Sequence, residues 1–474
     1  MPDQPDNTLP VSDLPPQDST EPVVIDDLTD EAPEVERGRP GPRHRFPPVP
    51  ESDPQLDEDE ELEIERIDPG FQAGAGAGPV QIVRNTVLTA AASNSSTSVV
   101  CEPSVASHDA VVLYTGNWFA ALSTDSGGTF RYINPYTAFP SPAGMRFCCD
   151  QVLQYIPSID TFAWLLQYTE NPQGENVLRL AFAKTADVVQ RRWRIYDIRP
   201  AALGSPGNML DFPDMAVGAT HLYITTNAFQ GETWTASYVI RIPLAQLVSG
   251  QIVAQRVVST QNFAFRVAQQ CANVGLWASH VSTTVLRVYS WAQSATFKDV
   301  TVPRWLRTGM SSQTGAFNWL GRCDSRILGA ALVGGELWFT WGSGRGLGFQ
   351  EPHTRIARVN AATQALVKSQ ALASATYAIQ YATLAVNTSN EVGASYMFGG
   401  GPFLPSHAVG VLTGTPAHAV VKAGTHGPRR QQWGDYLAAR RHHPDGTRFS
   451  ASGYTLQGGD TETSVEPRYV VFTR

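Results

Sequence analysis

Lysine is nearly missing from this chain of 474 residues: Lys184, Lys298, Lys368 and Lys422 are four of its 35 basic residues, a bias of the kind genome composition produces. No run of about 18 consecutive apolar residues occurs, so no helical membrane span is expected. The opening "MPDQPDNTLP" lacks the basic and then apolar stretches of a secretory signal, which makes a cytoplasmic location the default expectation. The cysteines, Cys101, Cys148, Cys149, Cys271 and Cys323, are odd in number and none sits in a CxxC pair, so they read as small buried hydrophobes and not as zinc ligands. Cys148 and Cys149, if neighbours on one strand, point to opposite faces. Long helical periodicity is also missing, which leaves an all-β reading.

Charge and proline are unevenly distributed. Met1 to Gly70 holds 21 acidic and 5 basic residues and 14 of the 33 prolines, whereas the remainder carries 22 acidic and 30 basic residues. A segment so acidic and poor in aromatics cannot bury enough apolar surface to offset the entropy of ordering. Residues 1–78 are therefore expected to be a disordered acidic tail ending in the glycine-alanine hinge "GFQAGAGAGP", and residues 79–474 the folded domain. Within the tail, "EPVVIDDLTDE" is similar to SUMO-interacting motifs: Val23, Val24 and Ile25 can add as a strand to a partner's sheet edge. A chance cluster is the competing reading.

Beyond residue 79, short runs rich in Val, Tyr, Trp, Phe and Thr alternate with Gly, Pro, Asn and Ser. Seven segments align, beginning near residues 102, 149, 213, 269, 323, 382 and 434, each with a polar residue, an apolar strand, a turn and a second strand. Their spacing of roughly 50–60 residues is close to that of a four-stranded propeller blade. A third strand follows in all seven and a fourth in six. The seventh repeat runs out of chain at Arg474, and "VQIVRNTVL", Val80 to Leu88, is the one unassigned strand able to complete it. The fold expected is a seven-bladed β-propeller closed by an N-terminal strand.

"STDSGGTF", Ser123 to Phe130, lies between the third and fourth strands of the first repeat. It resembles the Asp-box, or BNR, repeat of sialidase-like propellers, in which an aspartate caps a turn, a glycine takes positive φ and an aromatic anchors it. The resemblance implies structural turn roles for Ser123, Asp125, Gly127 and Phe130. It covers one complete box; the F-R-I-P element of sialidases is absent, and "RIP" at Arg241 to Pro243 falls in the third repeat. A non-catalytic member of the superfamily is the reading that follows.

In a propeller the innermost strands start around one mouth of the central channel, and four of those starts carry Asp150, Asp214, Asp324 and Asp435. Glu102 or Ser104, Gln269 or Gln270, and Thr383 fill the other slots. Such a ring suits sugar hydroxyls, the basic groups of a partner or a cation, or else caps strand ends. Loops between second and third strands open on the same end, adding Trp234, Trp341, Phe349, Tyr396, Phe398, Phe403 and Tyr454 as candidate contact residues. The glycines of "GSGRGLG" precede no helix, so nucleotide binding is not expected, and His442 and His443 point apart on a strand and share no metal.

The leading expectation is a binding or adaptor propeller that recognises a protein or glycan at the mouth, with a further partner for the acidic tail and none among nucleic acids. The alternatives are a sialidase-like glycoside hydrolase, with Asp150, Arg326, Arg440 and Tyr436 as first candidates, and a structural component of a larger assembly. No cofactor is expected; a divalent cation at the mouth stays open.

Overall fold

The computed structural model describes residues 7–34, 46–52, 62–72, 79–94, 96–142, 144–314, 317–429 and 431–474. Seven four-stranded antiparallel sheets follow one another along the chain as the blades of a propeller. Their inner strands are Ser104–His108, Phe147–Ile156, Met209–Val217, Arg266–Val267, Ile327–Val333, Ala378–Val386 and Ala438–Arg441. The apolar core lies between blades. Val239 and Val257 of blade 3, for example, share a buried cluster with Trp277 and Val288 of blade 4 and Ala330 of blade 5. A blade is thus stable only with a neighbour on each face.

Blade 7 is completed as the sequence implies. Gln81–Val87 pairs antiparallel with Val465–Thr473, in a register that sets Val87 opposite Arg468, Asn85 opposite Val470 and Gln81 opposite Thr473. Val80, 1% exposed, enters the cluster of Ala385, Val409, Phe449 and Phe472 between blades 6 and 7.

The acidic tail, expected to be disordered, forms short strands on the propeller in its described segments. Thr8–Leu9 adds a strand to blade 4, Val11–Asp13 to blade 3 and Val23–Val24 to blade 2, and Thr29 bridges Tyr132 of blade 1. Ile64–Ile67 then runs parallel to Leu366–Leu372 of blade 5, and Phe71 packs on Phe398 of blade 6 at 4.6 Å between ring centroids. The tail's sparse apolar residues cannot form a core of their own, but they can join one already built: Leu14, Ile25, Ala32 and Ile67 are each at most 6% exposed. Outer strands supply unpaired amides and carbonyls for the tail backbone. The tail's acids meet basic residues on the blade rims, Glu65 with Lys368 at 2.7 Å and Asp30 with Arg131 at 3.2 Å. The Val23–Val24 segment, which could add to a partner's sheet edge, pairs with this chain's own blade 2.

The turn 123–130 fastens blade 1 to the seam. Asp125 Oδ1 accepts hydrogen bonds from the amides of Gly128 and Thr129, both at 2.9 Å, and from the Ser123 hydroxyl at 2.6 Å. Those bonds, the Ser123 one foremost, pull its carboxyl down to about 2. Gly127 has φ +80°, and a Cβ there would stand 2.2 Å from a Tyr469 ring carbon. Its carbonyl accepts from the Thr86 hydroxyl of the closing strand at 2.6 Å, and Phe130 meets Tyr469 edge-on at 6.0 Å.

Two outcomes follow for stability. A chain beginning after residue 78 should melt at lower temperature than the full chain yet unfold in one cooperative transition, whereas one beginning after Leu88 should lose cooperativity, because the Val465–Thr473 edge and its apolar face are laid open; equal calorimetric traces for the two would contradict the closure. Asp125→Asn should cost about 1 kcal/mol near neutral pH. Because the folded carboxyl titrates below its unfolded value, that contribution is complete above about pH 5 and is lost as pH falls through about 2, so urea midpoints of wild type and variant should converge on acidification.

Candidate functional site

The inner strands of blades 2, 3, 5 and 6 each carry a register break near the mouth, between Phe147 and Gln151, Asp211 and Asp214, Ile327 and Gly329, and Gln380 and Thr383. A bulge of this kind breaks side-chain alternation and re-aims neighbouring residues. Beside these breaks or at the strand starts, Glu102, Phe212 and Tyr381 hold positive φ of 47°, 53° and 61°. Each such conformation costs on the order of 1–3 kcal/mol and persists because the surroundings enforce it.

The result is a ring of acids matched by guanidinium groups. Asp435 pairs with Arg322 at 2.7 Å and with Arg326 at 3.3 Å, Arg326 also binds Asp324 at 2.6 Å, and Arg266 pairs with Asp214. Burial works to raise the Asp435 carboxyl, but Arg326 and Arg322 outweigh it and hold the group below the ordinary carboxylate range. Among the described residues Glu102 and Asp150 have no ion pair, although the charge of Arg322 acts on both. Asn117 donates to Glu102 Oε2 at 2.6 Å, and the two acids are hydrogen-bonded to one another. Burial first, then the charges of Asp211 and Asp435, push Asp150 up to about 8; burial, Asp150 and Asp435 push Glu102 well above its usual value. The pair therefore keeps at least one proton at neutral pH. Tyr436, 7% exposed, lies among these carboxyls with its ring edge-on to Phe212 at 6.2 Å. No group of three or more His, Cys, Asp or Glu among the described residues is arranged to hold a metal.

Phe46 from the tail sits over this ring. It stacks on Phe263 at 5.5 Å, meets Phe229 and Phe212 edge-on at 5.2 and 5.9 Å, and lies 5.2 Å from the Arg326 guanidinium, which is itself 4.0 Å from the Phe212 ring. Val49 is buried beside it, and Glu51 binds Arg307 at 2.8 Å. Below the mouth the channel is closed. Gln154 donates to Gln269 at 3.2 Å and to the Met215 carbonyl at 2.7 Å, and the cavity between them is about 20 Å³, room for about one water.

Of the residues singled out from sequence, Asp150, Asp214, Asp324, Asp435, Tyr436 and Arg326 come together at the mouth. Arg440 lies deeper: its guanidinium donates to the Leu153 carbonyl at 3.1 Å inside the channel wall, and burial lowers it to about 10. Trp234 is half-buried at the rim, edge-on to Phe263 at 5.8 Å. Trp341 is a correction: it is 1% exposed, wedged between His280 and Trp305 in the core of blades 4 and 5, because strand Glu336–Ser343 continues through the expected loop. Tyr396, Phe398 and Tyr454 are buried because strands Val392–Gly400 and Phe449–Leu456 run through the expected loops, whereas Phe349 is buried within its loop, stacked on His353 at 3.8 Å. Sequence reasoning missed Asp211, Phe212, Arg266, Arg322 and Phe46. The string "DFPD" gave the one available signal, two acids flanking a bulge, where only Asp214 was chosen.

Cys148 and Cys149 are a second correction. They form a disulfide with each other, Cα to Cα 3.7 Å, inside the bulge that precedes Asp150, where the alternation expected of a regular strand does not hold.

No protein-family model and no curated protein matches this sequence. Similar solved structures include a protein of unknown function from Dyadobacter fermentans DSM 18053, with 12% identity over 83% of this chain and 99% of that one and a TM-score of 0.38. Another is the GH93 alpha-L-arabinofuranosidase of Fusarium graminearum in complex with arabinobiose, at 8% identity over 78% and 92% and a TM-score of 0.38. A third is an exo-beta-1,3-galactanase from Phanerochaete chrysosporium with beta-1,3-galactotriose, at 9% identity over 84% and 96% and a TM-score of 0.35. Several of these similar structures are glycoside hydrolases, and at these TM-scores the likeness carries no argument about this chain.

Proposed function

We propose that the protein is a binding propeller whose mouth takes a neutral, polyhydroxylated ligand, a glycan. The observation that carries this reading is charge compensation: Asp214, Asp324 and Asp435 are each matched by a guanidinium, and Glu102 and Asp150 share a proton. With Asp211 also held by a donor, the Gln167 amide at 2.9 Å, the mouth offers many hydrogen-bond donors and acceptors among largely paired charges, which suits sugar hydroxyls better than a polyanion. Aromatic faces at Phe212, Phe263 and Trp234 supply the apolar surface against which a sugar ring packs. Phe46 occupies that surface in the free protein. A glycan array followed by calorimetric titration of the full chain tests the reading: a glycan should bind, Phe46→Ala should tighten it several-fold, and Arg326→Leu should remove it. Absence of any glycan ligand for both wild type and Phe46→Ala would overturn it.

A second reading, glycoside hydrolysis, is favoured by one feature. Asp150 is protonated near neutral pH while Asp435 is ionised, the division of roles that general acid and anionic partner require. Release of reducing ends from an array ligand, abolished by Asp150→Asn, would select this reading over simple binding.

The protonation division has its own test in stability. Asp150 takes up a proton on folding, so stability attributable to it falls as pH rises from about 4 through about 8. Asp150→Asn, which copies the neutral acid, should change stability at pH 6 by less than about 1 kcal/mol and flatten that decline. Asp435→Asn leaves the Arg322 guanidinium without its ion pair and Arg326 with Asp324 alone, and should cost about 3 kcal/mol. Equal penalties for the two variants in chemical denaturation would contradict the assignment.

A further inference from the structure

At the end of the propeller opposite the mouth, a cavity of about 430 Å³ opens where the ring is closed. Three parts of the chain that are remote in sequence build it. The closing strand gives Val83 and Arg84, blade 7 gives Val471 and the hairpin residues His442 and Arg448, and blade 1 gives the turn at Asp109. Arg84 is half-buried, and among the described residues it has no ion-pair or hydrogen-bond partner. Arg448 binds Asp445 through Nε at 2.9 Å, which leaves the outer edge of its guanidinium uncommitted. The Nδ1 atom of His442 is held by the hydroxyls of Ser450 at 2.9 Å and Ser107 at 3.1 Å, leaving Nε2 to meet a ligand.

We propose that this seam cavity binds the oxyanion of a small ligand, a carboxylate or a phosphate, on Arg84 and Arg448, with the ligand's apolar part against Val83 and Val471. A guanidinium fork without an anion is the group that carboxylates and phosphates engage with two parallel hydrogen bonds. The field inside the cavity has the required sign: burial first, then the charges of Arg448 and Arg84, drive the His442 ring down to about 4, against the opposing pull of Asp445. The ring is therefore neutral at pH 7 and contributes a hydrogen bond without a charge. Asp109 stands at the rim, its side chain 65% exposed and 3.4 Å from His108. Its carboxylate works against highly charged polyanions, which favours one compact oxyanion. Such a ligand touches both ends of the chain at once, so binding stabilises the closed ring by mass action.

The test uses the full chain, with inorganic phosphate and glucuronate each measured against sodium chloride of equal ionic strength. Either ligand should raise the melting temperature beyond the salt control, and equilibrium dialysis should show Arg84→Gln weakening it about tenfold or more, the loss of a charged hydrogen-bonding partner. Arg448→Gln lies in a hairpin outside the closing strand and should give the same loss, which keeps the test intact if Arg84→Gln fails to fold. Stabilisation by phosphate alone or by glucuronate alone supports the site and identifies the source of the oxyanion. No rise beyond the chloride control, or a rise retained in both variants, overturns it. The outcome is independent of what binds at the mouth.

Discussion

The pairing of Gln81–Val87 with Val465–Thr473 is the contact on which the rest of this molecule depends. Each blade buries its two faces against its neighbours, so a ring lacking one join leaves two apolar faces and an unpaired strand edge in water. Joining the ends converts seven marginal sheets into one cooperative body. It also fixes the geometry at both openings of the channel, because the inner strands can converge only if the circle is complete. The turn at Asp125 belongs to this closure, since its glycine abuts Tyr469 and its carbonyl is held by Thr86.

Closure also explains why an acidic, proline-rich segment acquires defined strands. Outer strands of a propeller expose backbone donors and acceptors, and residues such as Leu14 and Ile25 need only small recesses in an existing core. Ion pairs such as Asp30 with Arg131 are exposed and each contributes little on its own; their effect is to match an acidic belt to an arginine-bearing rim.

Fold and site were legible to different depths because they are written at different ranges. Alternating apolar residues, punctuating glycines and a repeat interval are local signals, and they were enough for seven blades and the closing strand. The mouth was partly legible, since acids at strand starts recur with the repeat. Its second half was not, because Arg322 and Arg266 gain their meaning from Asp435 and Asp214 on other blades, a relation no spacing encodes. Trp341 failed for the opposite reason: a glycine-rich string looked like a loop, yet Glu336–Ser343 pairs through it and the indole turns into the core. For the tail, an average over composition discards the few positions that dock.

At the mouth, bulges decide which side chains meet. A regular strand would send Cys148 and Cys149 to opposite faces and let only every second residue reach the channel. The breaks at Phe147/Gln151 and Asp211/Asp214 suspend that rule, so a disulfide forms between neighbours and two acids of one strand reach the same opening. Crowding that many carboxyls together would be self-defeating in an apolar setting unless charge were removed or matched. Both remedies are present: the Glu102–Asp150 pair, raised by burial and neighbouring carboxyls, keeps at least one proton at neutral pH, and arginines match Asp214, Asp324 and Asp435. The strained backbone at Glu102, Phe212 and Tyr381 is then the cost of presenting these groups, met by the rigidity that ring closure supplies.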